Sequence, residues 1–252
     1  MIISHGSLRE IYSSFNTVFN KTYEETTALY PKIAMEVPSE ALDENYAWLG
    51  AMPGMREWIG DREIRNIMAH TYTIRNKLFE ETVSVSRSDV EDDRIGVYKP
   101  MVQGLAESAK KLPDKLVFSL LPRAFEELGY DKVPFVSDKH PLGTSQKKQT
   151  NKGTDKLTPT SYGAARSAMM SLFDDAEEPL YIVPDLLVVS PQNEAAARRI
   201  AYAEEINHET NIYKGTADVL IAPELMRHPD MWFLLCTNRV IKPLFGMAEN
   251  FV

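Results

Sequence analysis

The residues able to do chemistry are few and poorly grouped. Five histidines, His5, His70, His140, His208 and His228, are scattered over 252 residues, with no pair at the i, i+4 spacing of a helical zinc site and no HExxH. Each reads as a surface or hinge histidine. No GxGxxG loop, no P-loop and no GxSxG nucleophile elbow occurs. Cys236 is the single cysteine. It cannot form an internal disulfide or a cysteine-rich zinc site, and after Phe233-Leu-Leu235 it reads as a small core residue. The carboxylates Asp89, Glu91, Asp92 and Asp93 offer the best enzyme-like feature, since paired carboxylates hold Mg²⁺ with water completing the shell. Consecutive side chains diverge, however, and no second acidic motif partners them. Helix capping, or ion pairs to another subunit, explains the run better. The expectation is no catalytic residue, no cofactor and no metal.

Composition narrows the classes further. With 44% hydrophobic and 25% charged residues, the 28.6 kDa chain matches the globular average and can bury one large core or two modest ones. Its net charge of -8 argues against a dedicated nucleic-acid binder, which needs a basic face, while leaving room for non-specific contact with packaged nucleic acid. No run approaches the ~18 apolar residues of a membrane span. Residues Met1 to Ser7 lack the layout of a signal peptide, so a soluble chain made in a cytoplasm, with no membrane partner, is expected.

The elements that position these residues follow from periodicity. Ser7 and Glu10 have capping-box spacing, and Leu8, Ile11, Phe15 and Val18 form one helical stripe. That helix should fray near Asn20-Lys21, and Pro31 and Pro38 bracket an extended arm from Lys32 to Val37. Such a segment suits packing on a neighbour and a domain edge equally. Thr71–Ile74 and Glu80–Ser86 read as a β-hairpin around Arg75-Asn76-Lys77-Leu78. Pro100 suits the first turn of a helix carrying Met101, Leu105 and Ala109 inward, which Pro113 should end or kink, and a second helical run spans Leu116–Phe125. Residues 137–160, with five lysines against two aspartates, read as a long mobile surface loop. Without aromatic interleaving, it does not support stacking on nucleic acid.

A helix near Tyr162 should carry Ala165, Met169 and Leu172 on one stripe. Leu180–Val183 and Leu186–Val189 read as buried strands, and a helix spans about Glu194–Ile206. Asp218–Ala222 and Trp232–Thr237 read as two further strands. Helices and strands interleave without a βαβ rhythm, so the fold class is α+β.

What remains is architecture. Between Arg56 and Arg94 lie seven basic and nine acidic residues. A hairpin of mixed charge is either a solvated face or a surface that pairs with a neighbouring copy. Single exposed ion pairs are weak, but repetition across subunits fixes register. Trp48 and Trp58 would be the aromatic anchors of such an interface.

The order of these features resembles the Mu-like prophage major head protein family. The resemblance rests on Ser7-Leu-Arg-Glu-Ile-Tyr, Tyr46-Ala-Trp-Leu-Gly50, Arg56-Glu-Trp-Ile-Gly-Asp-Arg62, Tyr72-Thr-Ile-Arg-Asn76, Phe79-Glu, Val85-Ser-Arg87 and Val90-Glu-Asp-Asp93. Phe135, Asp138, His140-Pro141, the Leu180–Val189 segment, Trp232-Phe-Leu-Leu235 and Lys242-Pro243 complete it. The resemblance covers nearly the whole chain, and its specific part is Trp-Leu-Gly with Arg-Glu-Trp-Ile-Gly-Asp-Arg.

The resemblance implies the tailed-phage major capsid fold of the Hong-Kong-97 type. Residues 1–38 would then be an N-terminal arm. Residues 39–125 would be a peripheral domain, with the extended E-loop at about 45–85 and a spine helix at about 98–125. The axial domain would span 126–252, with the usual C-terminal return to the peripheral domain short or missing. The implied function is a head subunit that self-assembles as pentamers and hexamers into an icosahedral shell around double-stranded DNA. Its other implied partners are a scaffold or maturation protease, a portal, and packaged DNA. It would reside in the virion, and in host cytoplasm during assembly. Interface residues expected on this basis are Trp48, Arg56, Trp58 and Arg62 at the E-loop base, and Arg87, Glu91, Asp92 and Asp93 before the spine. An encapsulin-like compartment shares the fold, and a metal-dependent hydrolase using Glu91–Asp93 is the rival of a different class.

Overall fold

The computed structural model describes residues 5–36, 43–49, 69–75, 77–92, 94–129, 131–142, 147–174, 177–238 and 244–247. In chain order these form α1 (His5–Glu25), β1 (Asp43–Leu49), β2 (Ala69–Arg75), α2 (Arg87–Glu91), α3 (Lys99–Phe118) and α4 (Leu120–Arg123). Then come β3 (His140–Pro141), β4 (Lys148–Gln149), β5 (Lys152–Gly153), α5 (Pro159–Met170), β6 (Leu186–Val189) and α6 (Glu194–Tyr202). The last strands are β7 (Glu205–Ile206), β8 (Glu209–Thr210), β9 (Asp218–Ile221), β10 (Trp232–Leu235) and β11 (Leu244–Met247). The chain divides into one unit of residues 1–31 with 77–117, and a second of residues 32–76 with 118–252.

The second unit holds the main core. Its five-stranded sheet has the order β5-β11-β10-β6-β9, with β6 antiparallel to β10 and parallel to β9. All four residues of β6 and all four of β10 are buried, as expected of central strands covered on both faces. Tyr162, Ala165 and Met169 of α5 and Ala197 and Ile200 of α6 pack with these strands around Trp232 and Leu234. The α5 stripe and Cys236 in the core follow the sequence reading. The parallel β6–β9 pair with α6 between them is a crossover that local periodicity did not disclose. Mixed helix and sheet nonetheless keep the fold in the α+β class.

In this unit β1 pairs antiparallel with β2, with Tyr46 opposite Tyr72 and Trp48 opposite His70. This corrects the expected hairpin, because Thr71–Ile74 pairs with Asp43–Leu49 and not with Glu80–Ser86. The latter segment is not a strand. Val83 and Val85 are half-buried between exposed neighbours, so the alternation is real. Alternation records which face is apolar, not which backbone it bonds to.

Leu180–Val183 is likewise no strand. Tyr181 has a φ of 50° and is 79% exposed, while Ile182 beside it is buried. A left-handed residue breaks the extended ladder. Helix α6 stops at Tyr202, short of Ile206, because the Asn211 amide donates to the carbonyls of Ile200 and Ala203 (both 2.9 Å) and closes the helix end. Residues 137–160 are not a featureless loop. They carry β3, β4 and β5, with β3 and β4 forming a short antiparallel pair.

In the first unit, α1 continues through Asn20-Lys21 to Glu25, and Ser7 lies inside it instead of capping it. The arm after Pro31 is not simply extended, since Tyr30–Lys32 is a 3-10 turn; Val37 and Pro38 lie outside the described residues. Pro100 sits in the first turn of α3 as expected, but α3 passes Pro113 and runs to Phe118. A proline removes one helical hydrogen bond without forbidding the next turn. The buried face of α3 is set by Val102 and Ala106, one position on from Met101, which is exposed.

Candidate assembly surfaces

The charged run before α3 folds on itself. Arg87 and Glu91 open and close α2 and are joined by an Arg87 Nε–Glu91 Oε1 ion pair of 2.9 Å, one helical turn apart. Both side chains are largely exposed. Tyr98 donates its hydroxyl to Asp89 Oδ2 at 2.5 Å and accepts the Ser86 N–H at 3.2 Å, tying the start of α2 to the approach of α3. Asp92 follows α2 as an exposed residue whose N–H donates to the Ser88 carbonyl. Asp89 and Glu91 thus belong to a short helix with partners of their own, and Asp92 follows it. Among the described residues, no group of three His, Cys, Asp or Glu side chains is placed to hold a metal ion.

Of the other expected interface residues, Trp48 stands in β1 of the hairpin. Arg56, Trp58, Arg62 and Asp93 lie outside the described residues. The structure thus groups Arg87, Glu91 and Asp92 on and beside one short helix.

A residue that sequence reasoning missed is Asp114. Buried on α3, it accepts the backbone N–H groups of Leu29 (2.8 Å) and Tyr30 (2.6 Å) through Oδ1. It thereby fixes the segment that leaves α1. Lys110, one turn earlier, places Nζ 4.5 Å from the ring centre of Tyr23 in α1. Spacing did not mark Asp114, since its neighbours one turn away include Lys110 and Lys111 as well as Phe118.

Apolar surface is plentiful in this first unit. Of the thirty buried apolar residues described, only Val90, Val102 and Ala106 belong to it. Helix α1 buries none of its residues, and Tyr12 on it is 73% exposed. Leu78 is 94% and Phe79 51% exposed just beyond β2. Among the described residues, no helix is long and apolar enough to cross a membrane.

Residues 8–155 and 150–225 match the Mu-like prophage major head subunit gpT. The chain belongs to that family. It is 40% identical over 142 residues to the major capsid protein of Escherichia phage Mu, covering 56% of this chain and 47% of that one. It is 34% identical over 167 residues to the Mu-like prophage FluMu major head subunit of Haemophilus influenzae, covering 66% of this chain and 54% of that one. The chain thus spans about half the length of these curated relatives. Among solved structures, a chain from the procapsid of bacteriophage JBD30 superposes with a TM-score of 0.75 at 25% identity, over 88% of this chain and all of that one. A chain from the JBD30 capsid decorated with minor capsid protein trimers superposes with a TM-score of 0.62 at 26% identity, over 79% of this chain and 91% of that one. The fold is the tailed-phage capsid fold, and the family is one of structural capsid proteins, not enzymes.

Proposed function

We propose that this chain is the repeating tile of a phage head, working by association of identical copies and not by turnover. The observation that carries the reading is the fold likeness to the JBD30 procapsid chain over that chain's full length. The family match and the exposed apolar surface of the first unit support it. Many modest interfaces, made simultaneously, give a shell the cohesion that no single contact supplies.

On this reading residues 1–38 act as the N-terminal arm, and α1 supports that role. The β1–β2 hairpin supports an E-loop within about 45–85. Helices α3 and α4 support a spine at about 98–125, with an axial domain from 126 onwards. Trp48, Arg56, Trp58, Arg62, Arg87, Glu91, Asp92 and Asp93 are the proposed contacts to neighbouring copies. Pentamers and hexamers, a scaffold or protease, a portal and packaged DNA are the partners this role requires. Assembly would proceed in host cytoplasm before the subunit becomes part of the virion.

The test is electron microscopy of the expressed chain. Shells, rings or tubes are expected from the parent, and soluble subunits without shells from Trp58→Ala. Normal particles from that variant would remove Trp58 from the interface, and a strictly monomeric parent at high concentration would remove the function.

A further inference from the structure

The five-stranded sheet of the second unit ends at β9, whose outer side is covered by no strand among the described residues. Such an edge is a template for strand addition, because alternate residues aim their backbone N–H and C=O groups outward. The Asp218 N–H donates to the Asp185 carbonyl at 2.8 Å, and the Ala222 N–H to the Val189 carbonyl at 2.9 Å. Both point toward β6. By alternation Val219 and Ile221 aim theirs away from the sheet, and Pro223, next in that series, has no N–H to offer.

One of those two outward donors is already taken. Tyr202, the last residue of α6, accepts the Val219 N–H at its hydroxyl oxygen, 3.0 Å away. Helix α6 buries Ala197, Ile200 and Ala201, and Tyr202 beyond them is 44% exposed. An added strand would run about 4.8 Å from β9, so a hydroxyl 3.0 Å from its backbone, with a ring behind it, stands in the lane that strand needs. Water would serve an exposed N–H nearly as well, so the bond adds little to stability and its larger consequence is steric. The Ile221 N–H is left without a second outward donor two residues away, and the exposed Asp218 puts a charge at the start of the strand. The opposite edge is blunted differently, since β5 is two residues long and begins with Lys152.

We propose that Tyr202 guards the β9 edge against a strand of a second copy, so that copies do not join sheet to sheet through this unit. The hydroxyl removes the donor that an incoming strand would meet first, and the ring fills the space beside it. An unguarded edge would compete with every other contact between copies whenever the chain is concentrated. The inference rests on this edge alone and stands whether or not the chain builds shells.

The test uses the full ¹⁵N-labelled chain with its Tyr202→Phe and Tyr202→Ala variants. Losing the hydroxyl in Tyr202→Phe should speed exchange of the Val219 amide roughly tenfold, the loss expected of one hydrogen bond, while Leu220, which faces β6, exchanges as in the parent. Both variants should form thioflavin-binding oligomers faster than the parent at equal concentration, and Tyr202→Ala, which also empties the lane, should do so by the larger factor. A nitroxide on Asp218→Cys, at an exposed position while Cys236 is buried, should report dipolar coupling between copies in those oligomers. A Val219 amide that exchanges alike in the parent and Tyr202→Phe, association at the parent's rate, or oligomers whose labels do not couple would each overturn the guard. Tyr202→Phe keeps the ring and decides the matter even if Tyr202→Ala fails to fold. Shells are read separately by electron microscopy, so failure here and failure of the head-subunit reading are distinct results.

Discussion

Asp114 offers the most direct test of how the segment leaving α1 is held. Its carboxylate accepts two backbone N–H groups from residues 84 and 85 positions away, at 2.6 and 2.8 Å, in a buried setting. Hydrogen bonds to a charged acceptor contribute about 1.5–3 kcal/mol each, and the two share one oxygen, so they do not simply add. Removing the acceptor in Asp114→Ala should cost about 3 kcal/mol of local closure. At 1.4 kcal/mol per factor of ten, the opening equilibrium for residues 26–32 should rise roughly a hundredfold. Asp114→Asn keeps the oxygen and loses the charge, and should raise it roughly tenfold. Hydrogen exchange read by mass spectrometry resolves both effects without requiring two-state unfolding of the whole chain. The second unit, whose core lies elsewhere, should exchange as in the parent. Protection of 26–32 unchanged within a factor of about three in Asp114→Ala would refute the tether.

Three further outcomes follow from particular contacts. In α5, a Cβ added to Gly163 would overlap Tyr213 Oη and lie 2.7 Å from its Cζ, so Gly163→Ala should destabilise. Overpacking costs about 1–3 kcal/mol against a helix-propensity gain of about 1, and adding Tyr213→Ala should remove the clash in a double-mutant cycle by chemical denaturation. Asn211→Ala leaves buried carbonyls at the end of α6 without donors and should lower stability by about 2 kcal/mol, read as a shift in denaturation midpoint. Arg87→Ala breaks an exposed ion pair and should change monomer stability by less than about 1 kcal/mol. Loss of shells in that variant, seen by electron microscopy at unchanged stability, would place Arg87 in an interface.

The legible parts of the fold were those governed by local rules. The buried runs Leu186–Val189 and Trp232–Leu235, the α5 stripe and Pro100 at the head of α3 are settled by apolar content, 3.6-residue periodicity and a missing N–H. The errors arose where a distant partner decided. Glu80–Ser86 alternates as well as a strand does, yet the mate of β2 lies before it, across residues 50–68. Met101 and Val102 are both apolar and only packing chooses between them. The acidic run reads as a helix cap in sequence, whereas Arg87 and Tyr98 supply partners four and nine residues away.

Sequence by itself determined the class, the absence of a recognisable catalytic motif and the family. Composition, residue spacing and motif order are properties of the chain that survive without coordinates. Tertiary structure alone decided that Asp114 is a tether, that Asn211 closes α6 and that Tyr202 covers the Val219 N–H. Each depends on groups between 8 and 85 residues apart meeting within hydrogen-bond distance. Hydrogen bonds fall off within fractions of an ångström, and no pattern along a one-dimensional chain encodes such a meeting.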